Sequence, residues 1–375
     1  MIELCRSLGL EADMQPIRQH QGVFLWEGGH QLEKIPTGMH LGLTGQPWMA
    51  LVCSALSPRG KLRAALQGLL PDHAESHPET LGPYIRHRLE REANKELPSP
   101  FSPDVFACDP YELSLMNAFP QLAIFKQEHN TRNEGLAFAT MEGGMQRLTD
   151  RLAERVPGDR HLGVHVQEIR TTDGGWEVVS GEGRIWQSHQ LVLALPRLES
   201  ARLMKGISPT IATGLSSPSA VTGACVYLGF EVDSLEIPWD AYGFVSGDVE
   251  ARPLVACTWT RTGNRVLFRA YLRGSADFAI DSASTQKLIH TAWQTLEPMF
   301  GLPDPPLLSH VERYPEVFPQ FHLGDIEQAS HLEEQRTQIA GLYWTGPAFG
   351  AAGIPASVQH ARGIAHSLVE QGLRS

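Results

Sequence analysis

The sequence predicts a protein of mixed α/β and α+β class, with a Rossmann-like layer, a mixed β-sheet domain and a helical insertion. Three observations carry that expectation. Near the C-terminus an apolar run ending in Tyr343-Trp344-Thr345-Gly346 leads into a loop of small residues, and helical spacing follows at Val358, Ile364, Leu368 and Val369. This reads as strand, glycine loop, helix. Residues 143–196 run helix, strand, hairpin and buried strand, the order of an α/β layer carrying a β-meander. Residues 197–335 show strand patterns at 224–230, 254–260 and 265–272, joined by Gly and Pro turns, with an amphipathic helix at 285–300.

In chain order, residues 2–10 have the body of a helix closing at Gly9. Residues 23–35 read as two short strands around Gly28-Gly29, a hairpin that Pro36 closes. From 38 to 127 the pattern is mainly helical: Leu62, Leu66, Leu69 and Leu70 share one face, and Leu81, Ile85 and Leu89 another. The loop between them holds His73 and His77, which lack a further aligned ligand and are read as solvated rather than metal-binding. Pro98, Pro100 and Pro103 break the helical pattern. Gly143-Gly144 then opens a helix with Met145, Leu148 and Leu152 on one face, followed by an alternating strand at 161–169. Asp173-Gly174-Gly175 turns the chain into a second strand, and 190–196 is a continuous apolar strand. The expected domains are 1–37 with 197–335 (β-sheet domain), 38–135 (helical) and 136–196 with 336–375 (α/β layer).

The chain of 375 residues is long enough for more than one core. With 42% apolar and 19% charged residues it is globular rather than disordered. A formal net charge of −11, without basic clusters, argues against a nucleic-acid surface. Five widely spaced cysteines, none in a C-x-x-C pair, fit a reducing compartment and give no zinc pattern. No signal-peptide pattern and no bilayer-length apolar run is visible, so the expected location is the cytoplasm. Residues 46–56 are strongly apolar and Arg59, Lys61 and Arg63 follow, a pattern suited either to a buried helix or to peripheral contact through 47–63 at the inner face of the cell membrane. A homodimer is the expected assembly.

The glycine-rich C-terminal loop has two readings from its residues alone: a backbone cradle for a large anionic ligand at a helix start, or a tight turn whose small residues serve packing. Several other segments occur with it in a telling order. They are Val105-Phe106-Ala107-Cys108-Asp109-Pro110 with Glu112-Leu113-Ser114-Leu115 and Phe119-Pro120, then Gly143-Gly144-Met145-Gln146-Arg147-Leu148. Leu193-Ala194-Leu195-Pro196, Pro319-Gln320-Phe321 with Leu323-Gly324, and Gly353-Ile354-Pro355 complete the set. Together these resemble the oxygen-dependent protoporphyrinogen oxidases of the flavin amine oxidase superfamily.

That resemblance implies FAD as cofactor and the oxidation of protoporphyrinogen IX or coproporphyrinogen III to the porphyrin, with O2 as acceptor, in heme biosynthesis. The flavin carries the redox chemistry, so neither catalytic side chains nor a metal is implied. Carried over by position, Val166 lies by the adenine end of FAD and Ala194, Leu195 and Pro196 along its cleft. Gly346, Gly353, Ile354, Pro355, Ala356, Ser357 and Val358 lie against the flavin and pyrophosphate. Tyr242, Gly243, Phe244 and Val245 match a segment that packs on the macrocycle, and their other reading is a strand filling a core.

The sequence departs from the family pattern in places. No G-x-G-x-x-G unit with its acidic residue precedes the opening helix, so the FAD-binding layer is expected to be incomplete. Glu142 stands where an Arg is frequent, Ala356 and Ser357 replace an Asp and a Cys, and Cys108 replaces a glycine. Val23 takes a position where some members place a basic residue for a substrate carboxylate, a role that Arg18, His20 or His40 could fill. Three readings stay open on the sequence: a porphyrinogen oxidase, another flavin oxidase of the superfamily acting on an amine or polyene, and a cofactor-free remnant or subunit inactive alone.

Overall fold

The computed structural model describes residues 2–16, 22–26, 28, 32–35, 39–40, 43–44, 80, 139–216, 220–233, 235–246, 252–275, 277–319, 324–346, 349 and 353–372. The expected helical insertion, with His73, His77 and the apolar segment 46–56, lies outside the described residues, apart from two short paired strands, β4 (Met39–His40) and β5 (Leu43–Thr44), and Thr80. No helix among the described residues is long and apolar enough to cross a membrane. The chain forms two compact units, one of residues 1–15, 139–218 and 324–375 and the other of residues 16–138 and 219–323.

In the first unit, helix α1 (Ile2–Ser7) ends where Gly9 takes a φ of 74°, and Leu10 N–H donates to Cys5 O at 2.8 Å. Strand β1 (Met14–Pro16) pairs with β6 (Ala139–Met141). Gly143 and Gly144, both at positive φ, turn the chain into α2 (Gln146–Arg155). Leu148 of α2 is buried with Cys5, Leu8, Leu10 and Met141, and Arg151 Nε donates to Leu8 O at 3.1 Å. This packing places the opening helix with the α/β unit.

The meander β7 (Val166–Thr172), β8 (Gly175–Ser180) and β9 (Ile185–Ser188) follows. The strand expected at 161–169 begins only at Val166, because Gly163 takes a φ of 72° and Leu162 is left 92% exposed. Strand β10 (Leu191–Leu193) leads into α3 (Arg197–Met204) and α4 (Pro209–Leu215), two helices in a stretch expected to be mainly sheet. Ser208 caps α4 by accepting from Ile211 N–H, with Pro209 at the first helical position. After the other unit come α6 (Asp325–Thr337), β16 (Leu342–Trp344) and α7 (Gly353–Gly372). Ile169, Trp176, Leu193, Met204, Ile211, Leu215, Leu332, Leu342 and Trp344 make one core.

The second unit is built on a seven-stranded sheet in the order β15-β11-β14-β13-β12-β2-β3. These strands are β2 (Gly22–Trp26), β3 (Glu33–Ile35), β11 (Ala220–Glu231), β12 (Ala241–Ser246), β13 (Leu254–Thr262), β14 (Arg265–Arg273) and β15 (Leu308–Pro319). The hairpin read from 23–35 is β2–β3, and β12 pairs parallel with β2. Helix α5 (Thr285–Phe300) starts at the Ser284 cap and ends at Gly301, whose φ of 63° gives the left-handed stop. It covers one sheet face: Leu288, Ala292, Leu296 and Phe300 pack on Val226, Leu228, Phe268, Ala270 and Leu272.

Phe300 is the hub of that core, with ring centroids 5.1 Å from Phe268, 5.4 Å from Trp259 and 6.5 Å from Phe244. Phe300→Ala should therefore destabilise this unit by about 3–5 kcal/mol, read as a lower denaturant midpoint. A change below about 1 kcal/mol would mean that the cluster does not hold α5 on the sheet.

Candidate functional site

The first unit brings two distant loops to one place through β10 and β16. The strands pair in parallel, Leu191 opposite Leu342 and Leu193 opposite Trp344, and Thr345 N–H extends the ladder to Leu193 O at 2.9 Å. Parallel strands present their carboxyl ends at the same edge, where open α/β sheets bind ligands. From one end the chain leaves through Ala194, Leu195 and Pro196 into α3, and all three are exposed. From the other it leaves through Thr345 and Gly346 toward α7, which Gly353 opens at a φ of 79°.

The ends are held firmly from behind. Gly341 lies against the backbone of His189 and the Trp176 indole, too close for a side chain, and Trp176 Nε1 donates to Ala340 O at 3.2 Å. Phe349 stacks on Trp344, centroids 4.8 Å apart and planes within 4°. Thr345 Oγ1 and His360 Nδ1 lie 3.4 Å apart, and Ser357 donates to Gly353 O at 3.0 Å, so the loop and the first turn of α7 are tied to the helix itself.

Among the described residues, a side chain at Gly346, φ 112°, would meet no atom within 4 Å, and Ile354 is 47% exposed. Small residues, positive-φ glycines and the N-terminus of a 20-residue helix give a surface that a bulky, negatively charged group can approach to backbone distance.

Most of the sequence-derived cofactor residues follow one or other of the paired strands β10 and β16 in the chain. Ala194, Leu195, Pro196, Gly346, Gly353, Ile354, Pro355, Ala356, Ser357 and Val358 sit on the two loops and the start of α7. Val166 stands at the start of β7, where its carbonyl accepts from Arg202 Nη2 at 2.7 Å. The sequence reading missed Arg202 and also Arg197, which donates to Leu215 O and Gly214 O and so fixes α4 behind Pro196. An arginine directly after a strand-ending proline was the available signal.

The residues Tyr242, Gly243, Phe244 and Val245 lie in β12, in the second unit. Phe244 is 1% exposed in the core, with ring contacts to Trp26, Trp259 and Phe300, and Tyr242 is half-buried. Gly243 sits against the backbone of Cys257 and Thr258, where a side chain would clash. On β14 the burial alternates strictly, so Leu267, Arg269 and Tyr271 occupy the face away from α5. Tyr227 and Cys225 of β11 and Thr258 of β13 lie beside them in register. Burial pushes the Tyr227, Tyr242 and Tyr271 phenols up, and contact with Cys225 raises Tyr227 further. Burial also raises the Cys225 and Cys257 thiols.

The family described as flavin containing amine oxidoreductase matches residues 1–367. The chain belongs to that family. It is thus an oxidoreductase with FAD as cofactor, on a mixed α/β fold. Coproporphyrinogen III oxidase of Bacillus subtilis (strain 168) is 25% identical over 380 residues, covering 94% of this chain and 80% of that protein. Coproporphyrinogen III oxidase of Staphylococcus aureus (strain NCTC 8325 / PS 47) is 24% identical, covering 99% of this chain and 86% of that protein. Among solved structures, an Exiguobacterium sp. 255-15 protein provisionally assigned as a protoporphyrinogen oxidase matches with a TM-score of 0.79 at 22% identity. That match covers 98% of this chain and 84% of that one, and carries the fold. Gly346 and Gly353, both at positive φ beyond the paired strand ends, suit close approach of a flavin dinucleotide.

The raised phenols give a pH prediction. Above an ordinary tyrosine pKa of about 10 the folded state binds more protons than the unfolded state, so stability falls as pH rises past that point. A spectrophotometric titration should show three of the seven tyrosines ionising late, together with alkaline unfolding. All seven titrating together near the ordinary value in folded protein would contradict the burial described.

Proposed function

We propose that this chain oxidises a porphyrinogen, coproporphyrinogen III or protoporphyrinogen IX, to the porphyrin in heme biosynthesis, with O2 as the final acceptor. The observation that carries the reading is the cradle at the carboxyl ends of β10 and β16, set beside relatives whose names state this activity. When bound, FAD supplies the acceptor for the hydride and passes the electrons to O2.

The protein's own residues position and exclude. Ala194, Leu195 and Pro196 on one loop, and Gly346 with Gly353 to Val358 on the other, would hold the cofactor. The glycines and alanines among them let it reach the backbone, and the first-turn N–H groups of α7 favour its negative groups. Val166 would close the far side, its carbonyl already oriented by Arg202. On the second unit, Tyr242, Gly243 and Val245 would wall the macrocycle, with Phe244 setting their strand from the core side. No side chain has to act as acid or base for the hydride step. The site is proposed to work in the cytoplasm, with residues 47–63 touching the inner face of the cell membrane, on the strength of the apolar run and the basic residues after it.

The reading is tested by purifying the chain and recording its visible spectrum and its O2 uptake with coproporphyrinogen III and with protoporphyrinogen IX. A yellow protein that consumes O2 and forms porphyrin is expected. A colourless protein that takes up no FAD, or a yellow one inert to both porphyrinogens, would overturn it. Gly353→Val forces a β-branched residue into a left-handed conformation at the start of α7, at a cost of about 1–2 kcal/mol or more. It should abolish flavin retention while the chain stays folded, whereas full retention would contradict this placement of the cofactor.

A further inference from the structure

On the face of the seven-stranded sheet away from α5, one arginine makes no ion pair among the described residues. Arg269 stands in the middle of β14, half-buried. Among the described residues its side chain makes one hydrogen bond, from Nη1 to Thr260 Oγ1 at 2.7 Å, and no ion pair. On this face Glu312 of β15 is two strands away and holds His310 at 2.7 Å, and Glu231 of β11 stands opposite Arg265, four residues along β14 from Arg269. A guanidinium in partly desolvated surroundings gains strongly from an anion, and its planar fork matches a carboxylate.

The neighbours of Arg269 shape what that anion can be attached to. Directly opposite it are Tyr227 on β11 and Thr258 on β13, and Gly243 of β12 continues the same cross-strand row. Tyr271 is two residues along on the same face, opposite Cys225. Aromatic side chains flank the charge and glycine lies beyond it, a floor suited to a large apolar macrocycle that carries acidic arms. A cationic amine would be repelled here.

We propose that Arg269, with Tyr227 and Tyr271 beside it, binds a carboxylate of the porphyrinogen and so selects acidic macrocycles. This rests on the porphyrinogen reading above and adds to it the residue that recognises the substrate's acid groups. Arg269 is a binding residue and takes no part in electron transfer.

The test is a fluorescence titration of the purified chain with coproporphyrin III and with its tetramethyl ester, which has the same ring and no charge. It is run on the wild type, Arg269→Gln, Arg269→Lys and Arg265→Gln, the last at the exposed start of the same strand. The wild type should prefer the acid to the ester at least about tenfold. Arg269→Gln should weaken the acid about 10- to 100-fold and leave the ester unchanged, Arg269→Lys should fall between, and Arg265→Gln should match the wild type. In turnover, Arg269→Gln should raise KM and keep kcat. A wild type that binds neither porphyrin, or that does not distinguish acid from ester, overturns the proposal without need of a variant. So does an Arg269→Gln protein that loses acid and ester equally. Oxidation with an unchanged KM in Arg269→Gln would remove this site and leave the oxidase reading standing. Binding that depends on Arg269, in a protein that oxidises no porphyrinogen, would do the reverse.

Discussion

The parallel pairing of β10 with β16 is the constraint on which the first unit depends. Two three-residue strands far apart in the chain meet edge to edge, the ladder opening with Leu191 N–H on Gly341 O at 2.7 Å and closing with Thr345 N–H on Leu193 O. Leu193, Leu342 and Trp344 are buried with Met204, Ile211 and Leu215, so α3 and α4 are fixed by the same core that fixes the strands. Because the strands are parallel, the loops that leave them share one edge, and the site is a consequence of topology before it is one of side chains. In the proposed function Ala194, Gly346 and Gly353 keep clear of the ligand, while Trp344 stacks on Phe349 of the loop.

The second unit answers a different demand. Its sheet is made rigid by a dry face on which four aromatic rings, Phe244, Trp259, Phe268 and Phe300, meet under α5. The opposite face is then free to carry Tyr227, Arg269 and Tyr271, whose polar ends would be costly in the core. Strict alternation along β14 puts the two roles on one strand.

Much of this was legible in the sequence where local chemistry decides the structure. The helix at 285–300, with a serine before it and a glycine after it, was readable to the residue, because caps and apolar spacing agree. The pairing of β2 with β3 and the order of β16 and then α7 were readable for the same reason. Three kinds of element were not. Helices α3 and α4 are short, and α3 buries Ser200 among its apolar residues, so their periodicity is weak. Strand β15 holds Pro315 and Pro319 and alternates charged with apolar residues; it is tolerated because it is an edge strand, which the sequence does not announce. The apolar alternation at 161–165 suggested a strand, but Gly163 turns the backbone away and leaves Leu162 exposed. Of the site, the glycines were visible as a motif, whereas their meeting with Ala194, Leu195 and Pro196 follows from a long-range strand pairing that no local pattern encodes. Arg269 was present in a correctly read strand; its meaning depends on which neighbours the register places beside it.

The central claim is that the two loops at the paired strand ends hold the flavin together. Amide hydrogen exchange on the chain stripped of flavin and then reloaded with FAD tests it most directly, since both loops carry backbone N–H groups that a bound dinucleotide would shield. The account predicts new protection in peptides covering residues 194–200 and 345–358 alike. Protection in only one of the two, or in neither while FAD stays bound, would contradict it.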